Sequence, residues 1–528
     1  MLAEPTRTPK DELVFHPGQG HPLPPAESKP VQRYDFGETV VGKSRRVALE
    51  LLSDQVDDPD ISLAERIRRF VFDRENRAGF VEAAFDYLKG KGPSLKRDYD
   101  VVVVGAGLHA ASFVYTLRKQ HPSVSVLVVE QTSSICSTFA RLGDSLVLNS
   151  PTFSKVGLNS NVFPGHFIQL SDFDELAHRP FPTAKHLYEL ATLVLFHADA
   201  EIAFGFDATA ITRSGDGYLV DNLDQSVQAR SVVIANGLGA PASSTFAKNG
   251  PSPRIFHGDE FIAAYFKDSQ FPERLRDRRI AIAGAGDTAN CVMECLLPLV
   301  YPHSTYGFPK EAPFLPSSVV WIGQQATDIQ EYYFANKLRY CHSGGVIEFF
   351  WQGDTPFDLS ARTWSEAKSR IECSADRLLS VEDTGESLEL LAGTKDDARR
   401  LRCDLLVDCT GRANPLSETL LQRSYEFVEG DITFYGGQWD DRLEHFVASP
   451  RLLRQRRIAC RLAGERVFFL GSAGPLGELI DDSEARNGAL LYQEQRTSLT
   501  NSKWSLEHTL PRTAAFAEKF VEVTASGH

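Results

Sequence analysis

The sequence lacks three features that would each place it in a particular class of protein. Its eight cysteines are scattered over 528 residues and include no Cys-x-x-Cys pair, which argues against a disulfide framework and against a dithiol relay. Its longest apolar stretch, residues 291–301, is interrupted by Glu294 and Pro298 and is too short to span a bilayer. Its formal net charge of −14 argues against a general nucleic-acid binder.

What remains is typical of a globular protein of the reducing cell interior. The apolar fraction of 42% is ordinary, and the chain is long enough for about three domains with large cores. The N-terminus carries Glu4, Asp11 and Glu12 and has no apolar core of a secretory signal. We therefore expect a cytoplasmic protein that binds neither nucleic acid nor a membrane.

One stretch of the sequence combines a buried strand, a glycine turn and the start of a helix. Residues 101–104 are four consecutive valines, a pattern typical of a strand that is buried on both faces. Gly105 permits a tight turn, Gly107 lets a pyrophosphate approach the backbone, and Ala110 allows close packing of helix on strand. The N–H groups at the start of the following helix would point at the phosphates.

A second apolar run completes this unit with a carboxylate. Residues 124–129 form the run, and Glu130 follows it, 23 residues after Gly107. A carboxylate at the end of this strand accepts hydrogen bonds from a ribose 2′-hydroxyl. His109 lies close to the expected pyrophosphate, where either a phosphate contact or a structural role suits it. The order of strand, glycine turn, helix, strand and acid predicts a dinucleotide site.

The same pattern returns later in the chain. After an apolar strand, Gly284, Gly286 and Ala289 occupy the three glycine-type positions of a second Gly-x-Gly-x-x-Ala turn. Asp287 and Thr288 stand at the predicted helix start, where the Asp287 carboxylate can cap backbone donors. The pattern predicts a second dinucleotide site. The alternative is a degenerate repeat that binds nothing.

Three other strands are predicted to close on glycine, at Gly237, at Gly411 and at Gly471. The second of them is predicted as one strand over residues 403–411. Residues 202–212 are likewise predicted as a single strand, with a hairpin turn following it.

The predicted fold class is α/β, with two Rossmann-like dinucleotide-binding domains and an N-terminal extension that contains helix. In the extension, Ser62 would cap one helix that runs to about Leu88, and this part would either cover the other domains or mediate dimerisation. The predicted boundaries are residues 1–95 for the extension, 96–250 and 396–500 for the discontinuous first domain, 251–395 for the second domain, and 501–528 for a C-terminal tail or helix.

Two such units, one inserted in the other's sequence, resemble the two-dinucleotide flavoproteins. The order of landmarks is similar to that of the flavin-containing monooxygenase family and its class B relatives, the Baeyer–Villiger and N-hydroxylating monooxygenases. The family's strand that ends in Ala-Thr-Gly is matched loosely by Ala235-Asn-Gly237 and by Cys409-Thr-Gly411. Its late Gly-Asp contact with the flavin is matched by Gly471-Ser472. The resemblance covers about residues 97–496.

The resemblance implies FAD in the first domain and NADPH, with NADH as the alternative, in the second. The family also has an asparagine beside the flavin, which helps hold the oxygenated intermediate, and Asn149 of Asn149-Ser-Pro151 matches it. Asn149 is therefore the predicted catalytic residue, and a turn residue before proline is the alternative. The predicted cofactor-binding residues are Gly105, Gly107, His109, Ala110, Glu130, Gly237, Gly284, Gly286, Asp287, Thr288, Ala289, Gly411, Gly471 and Ser472.

The activity implied by the resemblance is that of an NAD(P)H-driven monooxygenase. Such an enzyme inserts one oxygen atom of O2 into a small organic substrate through a flavin C4a-(hydro)peroxide, by N- or S-oxygenation or by Baeyer–Villiger oxidation. Its partners would be that substrate and O2, and self-association into a homo-oligomer stays open. No metal site is predicted.

The sequence departs from the family at three positions. Ile262 stands where the family has a His after its Phe-x-Gly, and Ser472 stands where it has an acid. Gln324-Gln325 follows the predicted strand 319–322, where the family has an Arg for a 2′-phosphate. These departures keep two alternatives open. One is an NAD(P)H-dependent flavoprotein reductase or dehydrogenase without oxygenation, and the other is a non-catalytic flavin-binding protein.

Overall fold

A computed structural model of the chain describes residues 13–14, 63–95, 97–143, 163, 166–178, 182–237, 239–241, 252–284, 287–296, 315–323, 369–394, 397–440, 445–474 and 506–525. Two sheets, one mixed with a parallel centre and one parallel, dominate these residues. The strands are, in chain order, β1 (Leu13–Val14), β2 (Tyr99–Val104), β3 (Val126–Glu130), β4 (Glu201–Phe204), β5 (Ala210–Ser214), β6 (Gly217–Asp221), β7 (Ser226–Ile234), β8 (Ala240–Pro241), β9 (Ile255–His257), β10 (Arg279–Ala283), β11 (Ser318–Ile322), β12 (Ile371–Ser374), β13 (Leu378–Asp383), β14 (Leu388–Gly393), β15 (Ala398–Cys403), β16 (Leu405–Asp408), β17 (Arg412–Ala413), β18 (Tyr425–Asp440), β19 (His445–Leu462) and β20 (Val467–Phe469).

Helices cover the faces of these sheets. Among the helices described, none is both long and apolar enough to cross a membrane. The α-helices are α1 (Leu63–Phe72), α2 (Arg74–Gly90), α3 (Leu108–Gln120), α4 (Ser137–Leu142), α5 (Asp174–His178), α6 (Ala184–His197), α7 (Gly258–Lys267), α8 (Phe271–Arg274), α9 (Asp287–Leu296), α10 (Pro415–Leu421) and α11 (Leu506–Ala525).

The first sheet has a parallel centre with the strand order β4-β3-β2-β7-β20. Its middle strand contains the four valines, and all of them are buried. Val101 and Val103 pack into a core shared with α3 and α6, whereas Val102 and Val104 face a core shared with β6 and β7. The unbroken apolar run is thus explained, because alternate side chains of a strand enter different cores.

An antiparallel meander, β5-β6-β7, covers the second face of this sheet. The first half of β7 pairs antiparallel with β6, and its second half pairs parallel with β2 and β20. The prediction of one strand over residues 202–212 was wrong. β4 ends at Phe204 because Gly205 has a φ of +75°, and β5 begins only at Ala210.

The second sheet consists of five parallel strands in the order β12-β11-β10-β16-β9. The antiparallel strands β13, β14 and β15 share a core with one of its faces, and α7 and α9 share a core with the other. The prediction of one strand over residues 403–411 was wrong. Cys403 ends β15, and β16 begins at Leu405. Asp404 makes the corner between them by accepting hydrogen bonds from the Arg279 backbone and guanidinium, at 2.8 and 2.6 Å.

Two short strands join the sheets. β8 pairs antiparallel with β17, where Arg412 lies opposite Pro241. Gly239 precedes this pair with a φ of +83°, and a Cβ there would lie 2.0 Å from the Ala413 carbonyl oxygen. We call β2–β8 and β17–β20 with their helices the first unit, and β9–β16 with theirs the second unit. The chain is thus an α/β protein in which one Rossmann-like unit is inserted into another, as predicted.

The helices of the N-terminal extension belong to the core of the first unit. α2 packs on α6 and β4, and Ile67 of α1 and Phe80 of α2 are buried in that core. The single helix expected from Ser62 to Leu88 is two helices. Asp73 breaks it, and its carboxylate accepts a hydrogen bond from the Asn76 N–H at 2.8 Å to cap α2.

A buried arginine anchors the extension. Arg77 of α2 donates to Glu189 of α6 at 2.7 Å and also pairs with Glu175 of α5. Its guanidinium carbon lies 3.8 Å from the centroid of the Phe173 ring. Two carboxylates and an aromatic face thus compensate the cost of burying this cation.

The C-terminal helix closes the first unit on the side of α3. Phe516 and Phe520 of α11 pack against Phe113 of α3, with ring centroids 5.7 and 5.2 Å away, and against Phe468 of β20. The aromatic cluster places α11 directly over the helix that follows the first glycine turn.

Candidate functional site

The first glycine turn connects β2 to α3 at the carboxyl edge of the first sheet. Gly105 has a φ of +96°, and a Cβ there would lie 2.7 Å from the Cα of Asn236. Both the backbone conformation and the close approach therefore require glycine. Gly107 differs, because a Cβ there would meet the Ala235 carbonyl oxygen at an ordinary 3.7 Å. Packing alone does not explain Gly107, which lies at the start of α3, where the sequence predicts that a pyrophosphate approaches.

A carboxylate stands beside this turn. Glu130, buried at the end of β3, accepts a hydrogen bond from the Ala106 N–H at 2.8 Å through Oε2. Its Oε1 accepts from the backbone and the hydroxyl of Thr132, at 3.0 and 2.8 Å. A carboxylate has about four acceptor sites, so capacity remains for a ribose hydroxyl. The predicted acid is therefore held against the turn that it was predicted to serve.

His109 faces the C-terminal helix. Its Nδ1 lies 3.0 Å from the Thr513 hydroxyl oxygen, and its ring fills the space beside Gly471, where a Cβ would lie 2.2 Å from the ring. Burial, together with the nearby charge of Arg512, lowers the pKa of His109 to about 4. The ring is thus neutral near pH 7, and its described contacts are structural. Ala110, next to it, is fully buried, as close helix packing requires.

The ends of β7 and β20 meet the same edge. A Cβ on Gly237 would lie 3.8 Å from the Ser472 hydroxyl oxygen, so these two predicted residues are neighbours. The side-chain amides of Asn236 and Asn414 exchange two hydrogen bonds, at 2.9 and 2.8 Å. Asn414 also donates to the Gly237 carbonyl oxygen at 2.9 Å. Sequence reasoning missed Asn414, although an Asn before Pro at a helix start is a capping signal.

The second glycine turn follows β10. Gly284 has a φ of +107°, and a Cβ there would lie 2.3 Å from the Cys409 carbonyl oxygen. The Trp321 indole N–H donates to the Gly284 carbonyl oxygen at 2.7 Å and thereby fixes the turn. Ala289 is fully buried in α9, which begins at Asp287. In its described part, Gly284 thus repeats the positive φ and the close backbone approach of Gly105 in the first turn.

Asp408, an acidic residue that the sequence analysis did not assign to a site, lies between β10 and β16, where the strand order of the second sheet reverses. Asp408 Oδ1 accepts from the backbone and the hydroxyl of Thr410, at 3.0 and 2.6 Å. Its Oδ2 is buried and has no hydrogen-bond partner among the described residues. Open α/β sheets bind ligands at such switch points. Gly411 follows with a φ of +147°. Like Glu130, Asp408 ends an apolar strand, which was the signal available in the sequence.

Two other positions have packing roles. A Cβ on Gly258 would lie 2.3 Å from the Thr288 methyl carbon, so Thr288 packs α9 closely against α7. Ile262, which stands in place of the family's His, is buried in an apolar cluster with Leu142 of the first unit. These apolar surroundings would not suit the polar ring of a His.

Asn149, Gly286 and Gln324-Gln325 lie outside the described residues, so those predictions stay predictions.

No protein-family model and no curated protein matches the sequence. Solved structures do match. An ornithine N-hydroxylase of Kutzneria sp. 744, with FADred, NADP+ and L-orn, has 16% identity, coverage of 81% of this chain and 99% of that chain, and a TM-score of 0.45. The reduced ornithine hydroxylase of Pseudomonas aeruginosa has 12% identity, coverage of 82% and 100%, and a TM-score of 0.46.

A flavin-containing monooxygenase from Stenotrophomonas maltophilia has 14% identity to this chain, coverage of 81% of this chain and 98% of that chain, and a TM-score of 0.43. Thioredoxin and bacillithiol disulfide reductases are also among the similar structures. The N-hydroxylases and the flavin-containing monooxygenase are of the kinds that the sequence resembles. A general likeness of fold is all that these similarities establish.

Proposed function

We propose that this protein is an FAD-dependent, NAD(P)H-driven monooxygenase that acts on a small organic substrate. The observation that carries the proposal is the nesting of two similar glycine turns. In each of them a glycine with positive φ, Gly105 or Gly284, lies against the end of the neighbouring strand. Two such turns in one chain suit a protein that binds two dinucleotides.

The first turn suits FAD. The start of α3 lies at Gly107, where the helix offers backbone N–H groups to a pyrophosphate. Glu130 would accept from the ribose hydroxyls. The Ser472 hydroxyl, beside Gly237, would replace the family's acid as the group that hydrogen-bonds to the flavin, since a hydroxyl both donates and accepts hydrogen bonds.

The second turn suits NADPH, with NADH as the alternative. Gly284 and α9 would hold the pyrophosphate, together with Gly286, Asp287, Thr288 and Ala289 of the same turn. The Asp408 Oδ2, buried without a described partner, would accept from a ligand hydroxyl at the switch point. A hydrogen-bond donor of the nucleotide would satisfy this oxygen, which the apolar side chains around the strand cannot do.

FAD, once bound, would supply the redox chemistry: with two electrons from NAD(P)H, one oxygen atom of O2 would enter the substrate and the other would be reduced to water. The chain's part is to hold the two nucleotides, to exclude water and to keep the flavin environment hydrogen-bonded. We assign the last role to Asn149, on the resemblance. The substrate, and whether N, S or a ketone is oxidised, stays open.

A disulfide reductase is the weaker alternative. Such enzymes need a thiolate, and burial raises the pKa of Cys295 in α9 and of Cys409, which lies against Gly284. Raised thiol pKa values oppose thiolate formation near pH 7. A reductase or dehydrogenase that passes electrons directly to another acceptor remains an outcome of the test.

The test starts with the absorbance spectrum of the purified protein. We expect bound flavin, its reduction by NADPH or NADH without air, and its reoxidation on admission of air. A substrate screen under labelled O2 should then find label in a product. Reoxidation that yields only hydrogen peroxide with every substrate would support the reductase alternative. Bound flavin that neither NADPH nor NADH reduces would support the non-catalytic flavin-binding alternative, and failure to bind flavin would contradict the proposal.

A further inference from the structure

An ion cluster centred on a buried carboxylate crosses the boundary between the two units. Asp259, in the first turn of α7, belongs to the second unit, and its side chain is 6% exposed. Its Oδ2 accepts a hydrogen bond from Arg141 of α4, in the first unit, at 2.7 Å. The same oxygen contacts the guanidinium of Arg412 in β17, one of the joining strands. One carboxylate of the second unit thus holds two cations of the first.

The cluster is continuous with the strand pair that joins the units. Besides contacting Asp259, Arg412 donates through Nη1 to the Gly239 carbonyl oxygen at 2.7 Å, next to β8. Two short paired strands join the units, and such short connections by themselves permit hinge rotation between units. Arg141 lies outside this pair, on α4, so its contact with Asp259 opposes rotation.

The cluster is also rigidly connected to the second glycine turn. Asp259 follows Gly258, where a Cβ would lie 2.3 Å from Thr288 of α9 and 2.8 Å from the Cys409 sulfur. α7, the first turn of α9 and the end of β16 are therefore packed as one block. A displacement of Asp259 relative to the first unit would move the second turn with it.

An apolar contact between the units accompanies the cluster. Leu142 and Ala184 of the first unit lie in one core with Phe261 and Ile262 of the second. Apolar contacts are non-directional and tolerate sliding, whereas a charged hydrogen bond to a buried carboxylate favours a defined distance and direction. The ion cluster is thus the part of this interface that can define an angle between the units.

We infer that Asp259 is a positioning residue that fixes the orientation of the second unit, and of its nucleotide turn, relative to the first. The orientation itself follows from the contacts, and its consequence for electron transfer rests on the proposed function. Replacing Asp259 would leave Arg141 and Arg412 as adjacent uncompensated cations, which repel each other. The angle between the units would then be held only by the apolar contact and the joining strands.

The test compares Asp259→Asn with three other variants of the whole protein. Asp259→Glu keeps the charge and should rescue. Arg141→Gln removes only the contact outside the joining strands, and it keeps the test decisive if Asp259→Asn does not fold. Asp404→Asn is the matched control, since Asp404 also binds an arginine, Arg279, but within the second unit.

The first readout is the distance between the units, measured by electron–electron double resonance. Labels introduced by a coupling that avoids cysteine would stand at two well-exposed positions, Leu223 of the first unit and Glu386 of the second. We expect one narrow distribution for the wild type, Asp259→Glu and Asp404→Asn. Asp259→Asn and Arg141→Gln should broaden or shift it. An unchanged distribution in both of these folded variants would overturn the inference, whatever the protein catalyses.

The second readout is the rate of flavin reduction at saturating NADPH. Since misplacement of reacting groups by about 1 Å costs up to about 100-fold in rate, we expect a 10- to 100-fold loss in Asp259→Asn. NADPH affinity and FAD content should change less than about threefold, because the binding residues are intact. Equal reduction rates in Asp259→Asn and the wild type would contradict the positioning role. Absence of flavin reduction in the wild type would instead contradict the proposed function and leave the distance measurement valid.

Discussion

The Nδ1 atom of His109 lies 3.0 Å from the hydroxyl oxygen of Thr513, a residue 404 positions further along the chain. This contact ties the first glycine turn to the C-terminal helix. The same imidazole ring occupies the space that the missing side chain of Gly471 leaves. The geometry of the first turn therefore depends on α11 as well as on β2 and α3.

Thr513→Val should destabilise the protein, because His109 then loses a buried hydrogen-bond partner. We expect a loss of about 1–3 kcal/mol in the free energy of unfolding, measured by urea denaturation. Thr524→Val on the same helix is the control, since Thr524 bonds only to carbonyl oxygens one turn earlier in the described structure. It should change stability by less than about 0.5 kcal/mol. Equal effects of both changes would contradict the role given to the His109 contact.

Two glycine-to-alanine changes should separate folding from ligand binding at the first turn. Gly105→Ala forces a Cβ to 2.7 Å from the Cα of Asn236 at a φ of +96°, so the apo protein should lose about 2 kcal/mol or more. Gly107→Ala meets no such clash and should leave apo stability within about 0.5 kcal/mol. Its FAD affinity should nevertheless fall at least about tenfold, because a methyl group blocks the approach of the pyrophosphate. Urea denaturation of the apo proteins measures stability, and calorimetric titration with FAD measures affinity. Wild-type affinity for FAD in Gly107→Ala would contradict the placement of the pyrophosphate.

Glu130→Gln should weaken FAD binding about tenfold, or 1.4 kcal/mol, through the loss of a charged acceptor for the ribose. The control is Glu201→Gln at the start of β4, on the opposite edge of the sheet, where Glu201 accepts from the Tyr99 hydroxyl at 2.9 Å. FAD retained per protein chain after dialysis is the measurement. Full retention in Glu130→Gln would remove Glu130 from the site.

Stability should fall as the pH falls below about 6.5. His166 and His197 are buried and hydrogen-bonded to each other at 2.8 Å. Burial lowers the pKa of His166 to about 4 and holds the pKa of His197 well below its ordinary value. The folded pair stays neutral where the unfolded chain takes up protons, so stability is complete above the unfolded pKa of about 6.5 and is lost towards pH 4.

The expected loss between pH 7 and pH 5 is on the order of 2 kcal/mol for His166 alone. Urea denaturation at a series of pH values measures it. His166→Gln should flatten the dependence, whereas His121→Gln, at the partly exposed end of α3, should leave it unchanged. A pH-independent stability over this range would show that the pair does not titrate as described.

Asn149→Ala should separate flavin reduction from oxygen transfer. Since the amide is assigned to the flavin environment, its loss should leave the rate of reduction by NADPH within about threefold. The fraction of NADPH oxidation that ends in hydrogen peroxide should rise. Peroxide and product are measured per NADPH consumed, and equal coupling in the variant would exclude Asn149 from the mechanism.

The sequence predicted those parts of the fold that depend on local chemistry. The valines of β2, the turn at Gly105 and the acid at Glu130 follow from strand pattern, backbone freedom and spacing, and all three occur as expected. Local chemistry was misjudged where a helical or apolar pattern ran across a break. Asp73 separates two helices although the apolar residues keep their helical spacing across it. Asp404 separates two strands within one apolar run.

The contacts between distant segments of the chain could not be predicted from the sequence. Arg141 and Asp259 are 118 positions apart, and Asn236 and Asn414 are 178 apart. Neither pair belongs to a periodic pattern. The Arg141–Asp259 pair depends on how the two units are placed, and the Asn236–Asn414 pair depends on how two distant segments of the first unit meet. Surface arginines and asparagines are common, so only the folded arrangement distinguishes these from the others.

The most direct test of the account is an anaerobic titration of the purified, flavin-containing protein with NADPH and with NADH. If the turns at Gly105 and Gly284 hold FAD and a nicotinamide nucleotide side by side, one equivalent of reductant should bleach the flavin absorbance, and air should restore it. A protein that holds flavin but is not reduced by either nucleotide would contradict the central claim.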